Sequence, residues 1–353
     1  LKDLKFTDLM HHKAALKRRT PNWLGDRWSK KRNQDLNDDR QPGPDSSSEL
    51  MSTQATTQPE ISTLPMAARL GDYVQLARPR IGLMVLITAW LGMLLAGAAV
   101  EASSVAAMLI GTCFVAVGAS AFNQLWERRT DALMHRTENR PLPAGRISGS
   151  EVWAFGSIIT LAGLVCLATL PTGPAAAIVA GTTFVLYIFA YTPAKRVTWL
   201  NTFIGAVPGA MPPLIGWAAA RGTLTVQALP LFAILFFWQI PHFLAIAWIY
   251  RDDYRRGGLK MLPSEDATGN RTVRTMLLHT IALIVVSLWP LAEGARTFYA
   301  VGAIVLGLAF LMLVIRFAGR RSIPAARAVL RMSLLYLPGV LLMLFLDQWI
   351  GRV

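Results

Sequence analysis

Nine long apolar runs dominate the chain after residue 80 and leave few folds open to it. They lie at roughly 81–100, 103–126, 152–170, 174–191, 199–220, 229–250, 275–292, 297–315 and 332–350. Each is close to the ~20 residues an α-helix needs to cross a ~30 Å hydrocarbon core. A lipid-embedded backbone must satisfy its own hydrogen bonds, so the expected architecture is an all-α membrane protein with nine transmembrane helices. The third and fourth runs are divided only by Pro171, Thr172, Gly173 and Pro174, a tight-turn signal. The ninth contains Asp347, a carboxylate at odds with a lipid span.

Charge is scarce and blocked. Only 16% of the 353 residues are charged, against about a quarter in a typical soluble domain. The net charge of +14 does not point to nucleic acid, because the basic residues sit between apolar runs. The stretches after runs two, four, six and eight hold most of them, including Arg128, Arg129, Arg136, Arg140, Lys195, Arg196, Arg251, Arg255, Arg320 and Arg327. The other face has Arg221, Arg296 and Arg352. By the positive-inside rule, the N-terminus and basic loops face the cytoplasm, or the matrix of an organelle. Nine crossings then put the C-terminus on the opposite side. Cys113 and Cys166 lie inside apolar runs and read as small packing residues.

Residues 1–75 form a separate basic tail, rich in polar residues and without apolar periodicity, and are expected to be disordered; the nine-helix domain then covers 76–353. Lys13, Lys17, Arg18 and Arg19 suit a transit peptide, but Asp3, Asp8 and Asp26 do not. A bacterial inner membrane is therefore expected ahead of a mitochondrial one. Met51 offers a plausible shorter start, which would make the first fifty residues an upstream extension. His11 and His12 fall in this tail.

The stretch after run two is the richest in chemistry. Asn123, Glu127 and Asp131 are spaced four apart, so a helix presents them as one stripe of oxygen ligands running outward from an apolar segment. Hard cations such as magnesium take oxygen ligands and share them with substrate phosphates. Arg136 and Arg140 follow, and guanidinium forks match phosphate oxygens. Metal-binding carboxylates beside phosphate-binding arginines make a diphosphate site; solvated charges in a topogenic loop are the plainer alternative. After run six, Asp252 and Asp253 form a second acidic pair, so that two acidic motifs on one face could clamp a diphosphate through magnesium. His242 lies eleven residues before Asp253 and shares its face if the helix continues, with Asp252 off to one side.

His242 is open to two readings, a packed hydrogen-bonded histidine or a substrate contact; His279 invites the packed one. Lys195 and Arg196, after Tyr191-Thr192-Pro193, are either phosphate anchors or an orientation signal. The Pro- and Gly-rich stretch 205–217 reads as a kinked helix lining a substrate chamber, or as close packing on small residues. A transporter of anionic substrates is a rival reading, but the acidic groups gather at one face instead of the midplane.

Taken together, several pieces resemble the UbiA-type intramembrane prenyltransferases, and within them the branch that acts on haem. They are Leu76-Ala77-Arg78-Pro79-Arg80, Asn123 to Asp131 with Arg136-Thr137 and Asn139-Arg140-Pro141-Leu142, Tyr191-Thr192-Pro193 with Lys195-Arg196, Gly209-Ala210-Met211-Pro212-Pro213 with Gly216-Trp217, and Pro241-His242-Phe243 with Asp252-Asp253-Tyr254. Glu127 stands where an Asp is common in the wider family. The lack of a further Asp near His242 and Phe243 fits the haem branch and argues against an aromatic acceptor.

The resemblance implies nine helices around a central cavity open to the bilayer. It implies transfer of farnesyl from farnesyl diphosphate to a haem B vinyl group, giving haem O for a terminal oxidase. Magnesium would be held by Glu127, Asp131, Asp252 and Asp253 with Asn123 in support, and the diphosphate by Arg136, Arg140, Lys195 and Arg196. Trp238, His242, Phe243, Tyr191 and Tyr254 would line the haem and substrate pocket, with haem iron or a propionate as possible contacts of His242. Haem A synthase or oxidase-assembly proteins are the implied partners.

Overall fold

The computed structural model describes residues 66–350, so the N-terminal tail up to residue 65, with its expectations of disorder, targeting and an upstream extension, lies outside the described residues. Among the described residues every regular element is helical. Eight helical spans are long and apolar enough to cross a membrane, and a ninth exists if one bent pair is counted as a single span.

That bent pair is α1 (Met66–Ala77) and α2 (Pro79–Leu95), broken by 44°. The break has a local cause. A proline disfavours helical geometry in the residue before it, and Arg78 takes a left-handed φ of 48° there. Two expectations are corrected. Helix α1 begins at Met66, ten residues before the expected 75/76 boundary, and its Asp72 and Leu76 are buried. α2 ends at Leu95, short of the expected run to residue 100, and makes a ninth crossing only when counted together with α1.

The remaining spans follow in order. They are α3 (Ala102–Asp131, 30 residues) and α4 (Gly149–Ala168). Next come α5 (Ala175–Val185), a π-helical turn (Leu186–Tyr191) and α6 (Thr192–Val197), which together make one span. α7 (Asn201–Gly209) and α8 (Pro212–Arg221) make another. After α9 (Leu229–Ile249) come two short cap-region helices, α10 (Arg251–Arg256) and α11 (Leu262–Glu265). The last three are α12 (Asn270–Val286), α13 (Thr297–Arg320) and α14 (Ile323–Ile350).

Local chemistry sets these boundaries. Ser148 and Glu151 form a reciprocal capping box that starts α4. Pro212 and Pro213 open α8, and Gly222 closes it at a φ of 70°. The π turn precedes Pro193, whose missing N–H would otherwise leave a gap in the ladder. Thr192 Oγ1 donates to Tyr187 O at 2.9 Å across this turn. Lys195, Arg196, Arg316, Arg320, Arg327 and Arg331, expected between spans, stand on helix ends instead. Hydropathy drops at the first charge, but the helix continues while long basic side chains reach outward.

α3 packs along α4, α8 along α2, α13 along α14, and α9 against both α12 and α14. The span α7–α8 is the most buried of those in the bundle. Its glycines are close-packing points: a Cβ on Gly216 would stand 1.8 Å from Ala89 O, and one on Gly92 would stand 2.0 Å from Pro213 O. Two helix backbones in contact at this spacing hold α2 and α8 by dispersion, in a medium where hydrophobic exclusion does not help. At the far end, buried Asp347 of α14 accepts from Arg296 N at 2.7 Å and Tyr299 N at 3.3 Å. It caps the first turn of α13, which is why the ninth span tolerates a carboxylate.

Candidate active site

The Asn123–Glu127–Asp131 stripe of α3 faces the bundle interior, with relative exposures of 0, 6 and 0%. Helical spacing aligns the three, and each meets a different partner. Asn123 Nδ2 donates to Thr192 Oγ1 at 3.1 Å. Glu127 accepts from Lys195 Nζ at 2.7 Å, and that ammonium also lies 4.3 Å from the Tyr191 ring centroid. Asp131 Oδ2 accepts from Arg140 Nη1 at 2.6 Å. Two acceptor atoms in this stripe, Asn123 Oδ1 and Asp131 Oδ1, are buried without a hydrogen-bond partner. A buried unpaired acceptor is costly, and a cation or donor ligand would relieve it.

Positive charge crowds the same place. Arg78 acts electrostatically on Glu127, Asp131 and Arg140, although it was read only as part of a motif. Burial lowers the pKa of the Arg140 guanidinium; Arg78 lowers it further, Asp131 counteracts, and Arg136 adds to the lowering. Arg140 stays a cation, but one that gains from a neighbouring anion.

The second acidic motif approaches this end through its neighbours. Arg136 lies over the rings of Tyr250 and Tyr254 at 4.8 and 5.4 Å and donates to Tyr254 Oη at 3.2 Å. Met134 shares a small core with Ala247, Leu259 and Met261. The stretches after α3 and α9 are therefore in contact at one end of the bundle. The carboxylates of α10 pair locally, Asp252 with Arg255 at 3.5 Å and Asp253 with Arg256. Among the described residues no three His, Cys, Asp or Glu side chains converge into a metal-sized cluster, so Glu127, Asp131, Asp252 and Asp253 are not gathered. Each instead holds its own cation. The expectation that His242 shares a helical face with Asp253 fails for a simple reason: α9 ends at Ile249, and Tyr250 (φ −109°, ψ 24°) breaks the helix before α10.

His242 sits in an aromatic group. Its ring stacks on Trp238 at 4.8 Å and meets Phe243 edge-on at 5.5 Å. His242 Nδ1 lies 2.7 Å from Ser333 Oγ, and Ser333 Oγ in turn donates to Leu330 O at 2.7 Å. If the serine proton goes to Leu330 O, His242 Nδ1 is the donor to Ser333 Oγ, and the neutral tautomer then carries its lone pair on Nε2. Trp238 Nε1 donates to Ser333 O at 2.7 Å. His279 instead bonds Thr275 O at 2.8 Å and packs on Phe203 and Phe237, the arrangement of a structural histidine. Arg196 leaves the stripe: it donates to Thr130 Oγ1 at 2.6 Å and reaches the outer side of α3. Ser333 has no counterpart in the sequence reading, because a lone hydroxyl residue in an apolar run carries no signal of its distant partner, and Thr192 is read there only as part of the Tyr191-Thr192-Pro193 motif.

The helical bundle thus buries carboxylates beside basic side chains at one end. The profile of the UbiA prenyltransferase family matches residues 85–335, and the chain belongs to that family. It is 43% identical over 288 residues to the protoheme IX farnesyltransferase of Solibacter usitatus (strain Ellin6076), covering 78% of this chain and 98% of the relative. The protoheme IX farnesyltransferase of Salinibacter ruber (strain DSM 13855 / M31) is 41% identical, with 80% and 100% covered. Among solved structures, a digeranylgeranylglyceryl phosphate synthase matches at a TM-score of 0.67 and 17% identity, over 79% of this chain and 98% of that one. A UbiA homologue from Archaeoglobus fulgidus bound to GPP and Mg2+ matches at 0.59 and 14% identity, over 77% and 99%. At these identities the structures speak for the fold.

Proposed function

We propose that this protein transfers a farnesyl group from farnesyl diphosphate to a vinyl group of haem B, giving haem O. The names of relatives above 40% identity over nearly their whole length support the substrates. The observation that carries the chemistry is the buried Asn123–Glu127–Asp131 stripe, with two unpaired acceptor oxygens set among arginines and a lysine. Oxygen-only donors suit a hard cation. Glu127 and Asp131, with Asn123 beside them, are the residues that would hold magnesium; Asp252 and Asp253 would join them only by leaving Arg255 and Arg256. When bound, that ion neutralises charge on the departing diphosphate.

The chain's own cations do the same work from the other side. Arg136, Arg140 and Lys195 donate to diphosphate oxygens, so the C1–O bond breaks with its electron pair leaving on pyrophosphate. The allylic cation is left beside ring faces such as those of Trp238 and Phe243. The haem vinyl π-pair attacks C1, water adds to the new cation, and loss of its proton leaves the hydroxyl of haem O. His242, with Nδ1 beside Ser333, offers Nε2 to haem iron, or as an N–H donor in its other tautomer to a propionate; Tyr191 and Tyr254 complete the wall. The same reading places the basic end at the cytoplasmic face of a bacterial inner membrane and hands the product to haem A synthase or a terminal oxidase.

The test is direct. Membranes containing Asp131→Ala, given haem B, farnesyl diphosphate and magnesium, form no haem O by mass spectrometry while the protein inserts at normal levels. Retained haem O formation would remove Asp131 from the site.

A further inference from the structure

On the outer side of α3, away from the stripe, lies a cavity of about 490 Å³. Arg128, Arg129, Arg196, Trp126, Trp153 and Gly149 line it. Counted around the helix at 100° per residue, Arg129 stands nearly opposite the midpoint of Asn123, Glu127 and Asp131. The burial pattern agrees: those three are buried, whereas Trp126, Arg128 and Arg129 are exposed.

We propose that this cleft binds the phosphate head group of an anionic phospholipid. Three guanidinium groups share it, and among the described residues none of them pairs with a carboxylate. Like charges lining one cleft favour a bound anion. Arg196 is the one fixed by hydrogen bonds among the described residues, to Thr130 Oγ1 and to Trp126 O at 3.4 Å. Arg128 lies against the start of α4, where a Cβ on Gly149 would stand 2.7 Å from its Nη1. A larger side chain at position 149 would have to push aside the Arg128 guanidinium, the free end of a flexible side chain.

The surroundings select a lipid over a soluble anion. Trp126 and Trp153 are 45 and 61% exposed, and Phe189, 60% exposed, meets Trp126 edge-on at 6.2 Å. Broad aromatic surfaces beside arginines are what the headgroup layer of a membrane accommodates. A ligand here needs an acidic head and an apolar body next to it. The cleft opens on the face of α3 that does not carry the stripe, so it is a different site from the one proposed for the diphosphate.

The experiment is native mass spectrometry of the full chain in detergent, titrated with phosphatidylglycerol or phosphatidylcholine. The expected result is at least tenfold tighter retention of phosphatidylglycerol, reduced about tenfold in Arg128→Gln/Arg129→Gln and in Gly149→Leu, with the helical circular dichroism of both variants unchanged. Neither inorganic phosphate nor farnesyl diphosphate displaces the lipid. Equal retention of the two lipids, or no effect of either variant, overturns the proposal. Displacement by inorganic phosphate makes the cleft a free-anion site, and displacement by farnesyl diphosphate makes it an antechamber of the substrate site; either outcome also overturns it.

Discussion

The two acidic motifs of this protein share residue types and differ in everything else. Glu127 and Asp131 are buried and reach across the fold, to a lysine 68 residues away and to an arginine on the following loop. Asp252 and Asp253 sit on a six-residue helix and pair with arginines three residues on. Their neighbours Tyr250 and Tyr254, not the carboxylates themselves, make the link to the first motif through Arg136. A buried ion pair is tied to the fold because removing one partner strands a charge, whereas an exposed one is nearly free to be recruited. The first motif is thus preorganised; in the second, Asp252 is exposed and available, while the Asp253 side chain is only 13% exposed.

That contrast can be broken by measurement. The largest effect is expected from Lys195→Met, which strands Glu127 and should cost about 3–5 kcal/mol in detergent unfolding. Adding Glu127→Gln should recover most of the loss, and failure to recover would mean the pair is not the reason. An intermediate effect is expected at Asp266, which accepts from Thr272 N, Thr272 Oγ1 and Gly269 N at the start of α12. Burial pushes its carboxyl up, but these hydrogen bonds with that of Thr268 outweigh burial and hold it below the usual range. Its stabilisation is therefore complete above the ordinary carboxylate pKa of about 4 and is lost as pH falls below it. Asp266→Asn should cost about 1 kcal/mol at neutral pH, with the difference from wild type vanishing in acid unfolding. The smallest stability change belongs to Asp252→Asn, under about 1 kcal/mol. The same variant should lower haem O formation more than tenfold; normal turnover would take Asp252 out of the proposed metal site.

The stripe was legible because four-residue spacing needs only the helical period, and α3 is a long regular helix. The membrane spans were legible for the same reason of length and apolarity. What escaped is instead non-local or conformational. Arg78 acquires its position from its own left-handed backbone conformation before Pro79. The π turn at Leu186–Tyr191 has no hydropathic trace. Asp347 looks misplaced until the start of α13 arrives beside it. Ser333 matters only because α14 packs on α9.

The 30 residues of α3 extend about 45 Å, some 15 Å beyond the oily layer of a bilayer. Its terminal turns therefore stand where water and lipid meet. A reactant with a hydrophilic head and a greasy chain can keep each portion in its preferred phase while the bond between them is broken, so no strongly hydrated group has to be dragged into oil.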